Sequence, residues 1–236
     1  MAELLVDVPE RALAIYAHPD DPDVSCGGTM AAWAKAGCEV RVVLCTDGGK
    51  GSPDPGVDPH VLAETRAAEA AEAGAVIGVA GQEFLNYHDG ELTDDPVFRQ
   101  ALVAAVRRFR PDVVLCPDPT AVFFGNGYFN HRDHRVTGLA ALDAVSPAAA
   151  LPHYFPDAGP AHQVEAVLLS GTLEPDLWVD ISSTVDVKGE AVGCHRSQFP
   201  DGVEWASTAV RLGAEDAGRQ VGVAFAEGFR SLQFGG

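Results

Sequence analysis

The sequence ALAIYAHPDDPDVSCGG, residues 12–28, joins a short apolar run to a cluster of charged side chains. A continuous apolar run of this length is typical of a strand that is buried on both faces of a sheet. The six positions after the run hold one histidine and three aspartates. Carboxylates this close together repel one another unless a positive charge lies among them. The stretch therefore predicts a buried strand that ends beside a positively charged partner.

Further apolar runs alternate with longer, alanine-rich amphipathic stretches. The predicted strands are residues 12–17, 38–46, 83–87, 112–118, 166–171 and 177–182. The predicted helices are residues 28–36, 60–77, 95–109 and 205–222, with another that Ser182 or Ser183 caps and that ends near residue 195. This alternation predicts an α/β fold with a Rossmann-like, mostly parallel sheet flanked by helices.

Length and composition predict a single domain. The chain has 236 residues, 47% of them hydrophobic, which is enough to bury one sizeable core. The segment LPHYFPDAGPAH, residues 151–162, is rich in proline and glycine and is the one candidate for an internal boundary. We therefore expect one domain over residues 1–236, with an irregular C-terminal part from residue 151 onwards.

The net charge limits the classes of partner. Aspartate and glutamate number 34 against 16 lysines and arginines, so the net charge is −18. Nucleic acids and anionic membranes attract basic surfaces, and we expect neither as a partner. No stretch approaches the roughly 20 apolar residues of a membrane span. The N-terminal segment lacks a basic region and carries Asp7, Pro9 and Glu10, so it does not resemble a secretion signal.

The five cysteines are not arranged as a disulfide framework or a metal-binding pair. Their number is odd, and no two of them form a CxxC motif. Cys45 and Cys116 lie inside apolar runs. This pattern predicts buried free thiols, which are typical of a cytoplasmic protein.

Two turns rich in histidine and aspartate follow separate predicted strands. His18 and Asp21 lie three residues apart in a tight turn, so both can face one centre while Asp20 faces the space beside it. The sequence HRDH, residues 131–134, follows the fourth predicted strand, and parallel strands share their carboxyl edge. One of its histidines can be a third ligand and the other can face the reacting group, while Asp133 orients a ring. Three protein ligands and an open position are typical of a catalytic zinc site.

Each half of this pattern also has a simpler explanation. Paired aspartates after a strand commonly cap a helix, and two histidines at this spacing are common on exposed helices. If both explanations held, the chain would be a Rossmann-like binding protein without catalysis. The combination favours the metal site. Nucleotide binding and serine hydrolysis are less favoured, because the sequence has neither a GxGxxG turn after the first strand nor a GxSxG elbow.

Five ordered motifs resemble those of the zinc-dependent N-deacetylases typified by the N-acetylglucosaminyl-phosphatidylinositol de-N-acetylases (PIG-L) and the bacterial LmbE-like proteins. They are AHPDDPDVSCGGTMA, TDGGKGS, ETRAAEAAEAG, YHDGEL and NHRDHRVTGLAALDA. The segment PDLWVDISSTVDVKGEAVGCHRSQF resembles the C-terminal part of the LmbE-like branch, so the resemblance covers nearly the whole chain. It implies the LmbE-like deacetylase fold and zinc-dependent hydrolysis of an N-acyl group.

Carried over by position, the resemblance assigns the roles within the site. It implies that one zinc ion per chain is held by His18, Asp21 and His134. Asp20 is implied as the general base for the attacking water. His131 is implied to stabilise the oxyanion or to protonate the departing amine, and Asp133 to tune a neighbouring histidine.

Four residues are predicted to bind substrate, namely Arg66, Tyr128, Asn130 and His195. Arg66 matches a family arginine that contacts the sugar or its phosphate. From its position within a helix it could equally pair with Glu69 or Glu72 on the surface. His195 resembles a residue that assists the intermediate in some relatives, and its alternative is an exposed histidine at a helix end.

The chain departs from the family pattern before the HxxH motif. Some relatives carry a tyrosine that binds the oxyanion two residues before the first histidine, where this chain has Phe129. Tyr128 is one residue further back, and the sequence leaves open whether its hydroxyl takes over. Asp89 resembles a family residue near the site, although an aspartate before Gly90 is expected mainly to form a turn.

The predicted function is removal of an N-acetyl group from an acetylated amino sugar or glycoside by a zinc-activated water. One alternative is an amidase of the same fold that cleaves a larger amide, such as a thiol conjugate or an acylated natural product. The other is the binding protein without catalysis. Members of the family are often oligomeric, so the resemblance also implies a homo-oligomer.

Overall fold

The apolar run at residues 12–17 forms a central strand of an eight-stranded sheet. A computed structural model describes residues 3–199 and 203–234. In it, strand β2 is Arg11–Tyr16, and the strands on either side of it are parallel to it. Ala12, Ala14 and Tyr16 face one hydrophobic cluster while Leu13 and Ile15 face another. Burial on both faces explains why this strand is continuously apolar.

The remaining strands extend the sheet on both sides of β2. They are β1 (Glu3–Leu4), β3 (Glu39–Thr46), β4 (Gly81–Tyr87), β5 (Val113–Pro117), β8 (Ala166–Ser170), β9 (Leu177–Asp180) and β10 (Ala226–Gln233), with a separate hairpin of β6 (Phe123–Phe124) and β7 (Tyr128–Phe129). The strand order is β1-β9-β10-β8-β5-β2-β3-β4. Only β10 runs antiparallel to its neighbours in this sheet. The predicted α/β fold with a mostly parallel sheet is confirmed.

Helices cover both faces of this sheet. They are α1 (Asp21–Lys35), α2 (Pro59–Ile77), α3 (Pro96–Phe109), α4 (Arg132–Asp143), α5 (Val185–Gly193) and α6 (Val203–Val221). Buried residues of α1, α2, α5 and α6 join the cluster on one face, and those of α3 and α4 join the cluster on the other. Within the described part of the chain, no helix is both long enough and apolar enough to cross a bilayer.

The first helix begins earlier than predicted. The sequence predicted residues 28–36, whereas α1 starts at Asp21 and is kinked at Cys26, which has φ −141° and ψ 21°. The backbone N–H groups of Gly28 and Thr29, which the kink frees, donate to the Glu227 carboxylate at 3.0 and 2.7 Å. Glycine at position 28 is required by packing, because a Cβ there would lie 2.6 Å from Ile181 Cδ1.

The C-terminal part completes the same sheet, and two predictions there were wrong. Neither Ser182 nor Ser183 caps α5, whose N-cap is Thr184; Ser182 instead donates to the Asp180 carboxylate. Strand β10 was not predicted. It lies between β8 and β9 and thereby joins the C-terminal strands to the parallel core.

The connector at 151–162 is held in place by a buried arginine. Arg107 of α3 is 2% exposed, and its guanidinium donates to six backbone carbonyl groups, those of Ala148, Ala149, Leu151, Tyr154, Phe155 and Gly159. A buried cation is stable only when its donors are satisfied. This segment therefore packs on α3 although it has little regular structure.

Candidate active site

The HPDD turn connects β2 to α1 at the carboxyl edge of the sheet. Asp20 occupies the N-cap position of α1, but its side chain makes no capping hydrogen bond. The capping explanation for the paired aspartates is therefore wrong. Asp21 instead accepts a hydrogen bond from the backbone N–H of His18 at 2.7 Å, which fixes the Asp21 side chain within the turn.

Three of the predicted ligands converge on one point. His18 Nδ1 lies 3.2 Å from Asp21 Oδ2 and 3.1 Å from His134 Nε2, and His134 Nε2 lies 3.1 Å from Asp21 Oδ1. The ring nitrogens of His18, His134 and His131 also come within 4.8 Å of one another. Two imidazole nitrogens and a carboxylate oxygen form a donor set that suits Zn²⁺ or a similar divalent ion.

The electrostatics of the turn favour a cation. Burial opposes a charge on His18, but the carboxylates of Asp21, Asp133 and Asp89 outweigh it and raise the pKa of His18 well above its usual value. Burial likewise acts against charge on Asp21, yet the His134 and His18 rings hold its pKa well below the usual range. A positive charge is therefore stabilised here, either as a proton or as a metal ion that displaces it.

Asp89 orients His18, which the sequence did not predict. Its Oδ1 lies 3.1 Å from His18 Nε2, and its Oδ2 accepts from the backbone N–H of Lys50 at 3.2 Å. When Nε2 donates its proton to this carboxylate, Nδ1 is left as the ligand atom. The expectation that Asp89 mainly forms a turn is too narrow. The sequence position of Asp89 could have predicted this contact, because Asp89 follows β4 at the same edge of the sheet as His18.

Asn130 orients His134 in the same way, and it also lines the cavity beside Asp21 and His134, so its contact with substrate stays a prediction. Its Oδ1 lies 3.0 Å from His134 Nδ1, and its Nδ2 donates to the carbonyl of Ala121 at 2.8 Å. Asn130 is 6% exposed, and both ends of its amide are bound within the protein. The side chain therefore fixes the His134 ring so that Nε2 faces His18 and Asp21.

His131 is the N-cap of α4, and this sets its tautomer. Its Nδ1 accepts from the backbone N–H of Asp133 at 3.2 Å. A nitrogen that accepts a hydrogen bond carries no proton, so we assign the ring proton to Nε2. Burial and the neighbouring His18 and His134 rings lower the pKa of His131 below its usual value. The ring is therefore a neutral hydrogen-bond donor near neutral pH.

The Asp133 carboxylate lies beside His18, which fits the prediction that it tunes a neighbouring histidine. Its Oδ2 accepts from the backbone N–H of Gly90 at 2.6 Å and lies 3.7 Å from His18 Nε2. Its Oδ1 is buried and has no hydrogen-bond partner among the described residues. Asp133 thus contacts His131 through its backbone N–H and lies close enough to His18 to act on it through its charge.

Arg66 is buried against the predicted base. It is 3% exposed, and its Nη2 donates to Asp20 Oδ1 at 2.6 Å while Nη1 donates to the Gly48 carbonyl at 2.8 Å. The alternative of a surface pair with Glu69 or Glu72 is wrong. Gly48 has φ +64°, and a Cβ there would lie 2.7 Å from Arg66 Nη1, so the loop needs glycine at this point.

The hairpin β6–β7 separates Tyr128 from Phe129. Tyr128 pairs across the strands with Phe124, and both line a cavity of about 160 Å³ that also borders Asp21 and His134. Phe129 pairs with Phe123. The Arg135 guanidinium lies over the Phe129 ring, with Arg135 Cζ 4.9 Å from the ring centre. The two residues therefore face opposite sides of the hairpin, with Tyr128 beside the ligands.

His195 lies inside the protein. It is fully buried, and its Nε2 lies 2.7 Å from Asp23 Oδ2 in α1. Its Nδ1 has no hydrogen-bond partner among the described residues. The alternative of an exposed helix-end histidine is wrong, and so is the predicted contact with substrate, because a residue with no exposed surface cannot touch one. His195 holds Asp23, two residues after the predicted ligand Asp21.

A model of the GlcNAc-PI de-N-acetylase family matches residues 13–145. Diacetylchitobiose deacetylase from Thermococcus kodakarensis is 36% identical over 94% of this chain and 82% of that protein. A 1D-myo-inositol 2-acetamido-2-deoxy-alpha-D-glucopyranoside deacetylase from Catenulispora acidiphila is 35% identical over 61% of this chain, and the match spans about half of that longer protein.

One solved structure extends this similarity to three dimensions. The N,N'-diacetylchitobiose deacetylase from Pyrococcus horikoshii, in complex with its inhibitor MPG, superposes with a TM-score of 0.87. The two sequences are 34% identical, and the match covers 95% of this chain and 84% of the other. The arrangement of strands and helices described above is therefore the one found in that enzyme.

Proposed function

Because the chain belongs to the GlcNAc-PI de-N-acetylase family, we propose that it is a metal-dependent hydrolase that removes the N-acetyl group from an acetylated amino sugar, with zinc as the metal. The observation that carries this proposal is the convergence of His18, Asp21 and His134, next in sequence to Asp20, whose carboxylate is held by Arg66. Relatives named as deacetylases of diacetylchitobiose and of an acetamido sugar support the substrate class.

Each side chain has a defined task in this hydrolysis. A divalent ion bound by His18, Asp21 and His134 would polarise the amide carbonyl and lower the pKa of a water to about 7. Arg66 holds the Asp20 carboxylate at 2.6 Å, so that Asp20 is oriented to accept the proton of the attacking water. As the water oxygen bonds to the carbonyl carbon, the Nε2–H of His131 donates to the developing oxyanion.

The second half of the reaction returns the proton. The bond between the carbonyl carbon and nitrogen breaks, and the proton held by Asp20 passes to the departing nitrogen. Acetate and the free amine are the products, and no covalent intermediate with the protein is needed. His131 is assigned to the oxyanion because its lowered pKa keeps it neutral near pH 7.

Two further properties are part of the proposal. The cytoplasm is the proposed location, supported by five free and buried cysteines. A homo-oligomer and a single-domain chain remain predictions from the sequence and its family resemblance.

Acetate release from a panel of N-acetylglucosaminyl compounds tests the function, with the Asp20→Asn variant and metal analysis run in parallel. We expect the wild type to release acetate and Asp20→Asn to keep its metal while kcat falls about 10²–10⁴-fold. Wild-type turnover by a metal-loaded Asp20→Asn would contradict the role of Asp20. Metal binding without acetate release, but with hydrolysis of a bulkier amide, would favour the larger-amide alternative.

A further inference from the structure

Residues 195–198, which follow α5, contact both of the helices that hold the proposed base. Asp20 is the N-cap of α1 and Arg66 lies within α2, so their hydrogen bond of 2.6 Å joins two helices. A displacement of about 1 Å in a catalytic group can cost about 10²-fold in rate. Contacts that fix the first turn of α1 relative to α2 can therefore act on the reaction.

His195 attaches this segment to the first turn of α1. Its ring is fully buried, and its Nε2 lies 2.7 Å from Oδ2 of Asp23, which is 3% exposed. Asp23 lies three residues after Asp20, so both belong to one turn of the helix. Across residues 3–199 and 203–234, the Asp23 carboxylate has no other hydrogen bond or ion pair. This buried carboxylate therefore depends on His195 for its donor.

Ser197 attaches the same segment to α2. Its backbone N–H and its hydroxyl donate to the two carboxylate oxygens of Glu69, at 2.8 and 2.7 Å. Glu69 is 7% exposed and lies three residues after Arg66, so the two side chains share one buried face of α2. The neighbouring Arg196 pairs with Glu72 at the surface, where an ion pair contributes little to stability.

Gln198 contacts the loop that follows β3. A Cβ at Gly51 would lie 2.8 Å from Gln198 Oε1 and 2.6 Å from Arg66 Nη1, so the backbone of Gly51 packs against both side chains. Nε2 of Gln198 donates to the Ser197 hydroxyl oxygen at 3.1 Å. The same loop supplies the Gly48 carbonyl that accepts from Arg66. Residues 195–198 thus contact α1, α2 and this loop, the three parts that hold the Asp20–Arg66 pair.

We propose that His195, Ser197 and Gln198 form a clamp that fixes α1 relative to α2 and thereby positions the Asp20 carboxylate for proton transfer. The three side chains are positioning residues, and they act on the reaction only through Asp20 and its partner Arg66. The inference rests on the proposed deacetylation, in which Asp20 is the base.

Two variants open the clamp at its two ends. His195→Leu removes the donor to Asp23, and Glu69→Ala removes both acceptors of Ser197. We expect each to lower kcat about tenfold or more, with KM within about twofold of the wild type. Zinc content should stay unchanged, because the His18 backbone N–H holds Asp21 separately. His195→Gln keeps an N–H donor and should recover most of the lost turnover.

A second background separates positioning from a general loss of structure. In Asp20→Asn protein the base is already absent, so adding Glu69→Ala should change kcat by no more than about twofold. A loss of folded protein would instead lower kcat by the same factor in both backgrounds. Steady-state acetate release from the four proteins measures this coupling. Equal factors in the two backgrounds, or wild-type kcat for both His195→Leu and Glu69→Ala, would overturn the clamp and leave the proposed function standing.

Two controls accompany these variants. Arg196→Lys lies in the same segment but outside the clamp, and it should change neither kcat nor KM. Arg107→Lys disturbs buried contacts on the opposite face of the sheet, so it should lower the stability to urea while kcat stays unchanged. If the wild type releases acetate from no N-acetylated sugar, the proposed function itself fails, and the clamp with it.

Discussion

At the scale of single residues, Arg66 and Asp20 form a buried ion pair beside the predicted ligands. The guanidinium spans Asp20 and the Gly48 carbonyl with two separate nitrogens, so its planar shape fixes the direction of the carboxylate. Asp20 is next in sequence to the predicted ligand Asp21. We therefore propose that Arg66 positions the base.

Replacement of Arg66 by lysine separates positioning from substrate binding. Lysine keeps the charge but lacks the fork that reaches both partners. We expect kcat to fall about tenfold or more with KM and metal content within about twofold of the wild type. Arg196→Lys, on an exposed pair with Glu72, is the control and should be neutral. A raised KM with an unchanged kcat would restore the substrate contact that the family resemblance implies.

Asn130 contacts the proposed metal ligand His134. Its amide fixes the ring orientation, and loss of such a partner usually weakens metal binding. Asn130→Ala should lower zinc affinity about 10–100-fold in a competition titration against a chelator. Asn126→Ala, in the exposed turn of the hairpin, should leave the affinity unchanged. An unchanged zinc affinity combined with a higher KM would return Asn130 to the substrate side.

At the scale of elements, the kink in α1 joins the site to the end of the chain. Glu227 of β10 accepts from the backbone of Gly28 and Thr29, and Lys188 of α5 donates to the same carboxylate at 2.6 Å. Both side chains are at least 95% buried, with Lys188 4% and Glu227 5% exposed. Removal of one partner leaves an uncompensated charge in the interior.

Substitutions at the buried Lys188–Glu227 ion pair should have non-additive effects on stability. Glu227→Ala and Lys188→Met should each lower the free energy of unfolding by about 3–5 kcal/mol, because the other charge stays buried. The double variant should lose clearly less than the sum of the two single losses, since no charge is then left alone. Urea unfolding of the four proteins measures this coupling. Additive losses would show that the two side chains do not form one unit.

The contact of Glu227 with the backbone of α1 explains why the first helix was predicted too short. The residues DPDVSCGG contain proline, a serine and two adjacent glycines, which locally disfavour a helix. Glu227 stabilises the second part of α1 from 199 positions away in the chain, and no local pattern carries that information. Strand β10 was missed for a related reason: AEGFRSLQ has no continuous apolar run, and its place between two strands is set by tertiary pairing.

At the scale of the whole molecule, the site lies where the direction of strand addition reverses. From β2 the chain adds β3 and β4 on one side and then β5 and β8 on the other. The ends of β2 and β5 therefore flank a crevice at the carboxyl edge, which is where open α/β sheets bind ligands. HPDD leaves β2 at this edge, so the sequence could predict the site. It could not predict that Arg66 turns inward or that His195 is buried, because both depend on contacts between distant segments.

The five cysteines are distributed through the interior of the molecule. All are free and buried, and burial raises the pKa of Cys45 to about 12 and that of Cys38 to about 11. The thiolate is the reactive form, so at neutral pH a thiol reagent should label none of them in the native protein and all five in urea. Mass spectrometry after timed labelling gives the count. A cysteine that reacts within seconds in the native protein would contradict this packing.

The central claim is that a metal held by His18, Asp21 and His134 drives amide hydrolysis. Its most direct test measures zinc content and acetate release on the same samples of wild type, His134→Ala and the exposed-histidine control His153→Ala. We predict about one zinc per active chain for the wild type and the control, as for a site with three protein ligands, and loss of both zinc and acetate release in His134→Ala. Full acetate release from a His134→Ala protein that contains no metal would contradict the claim.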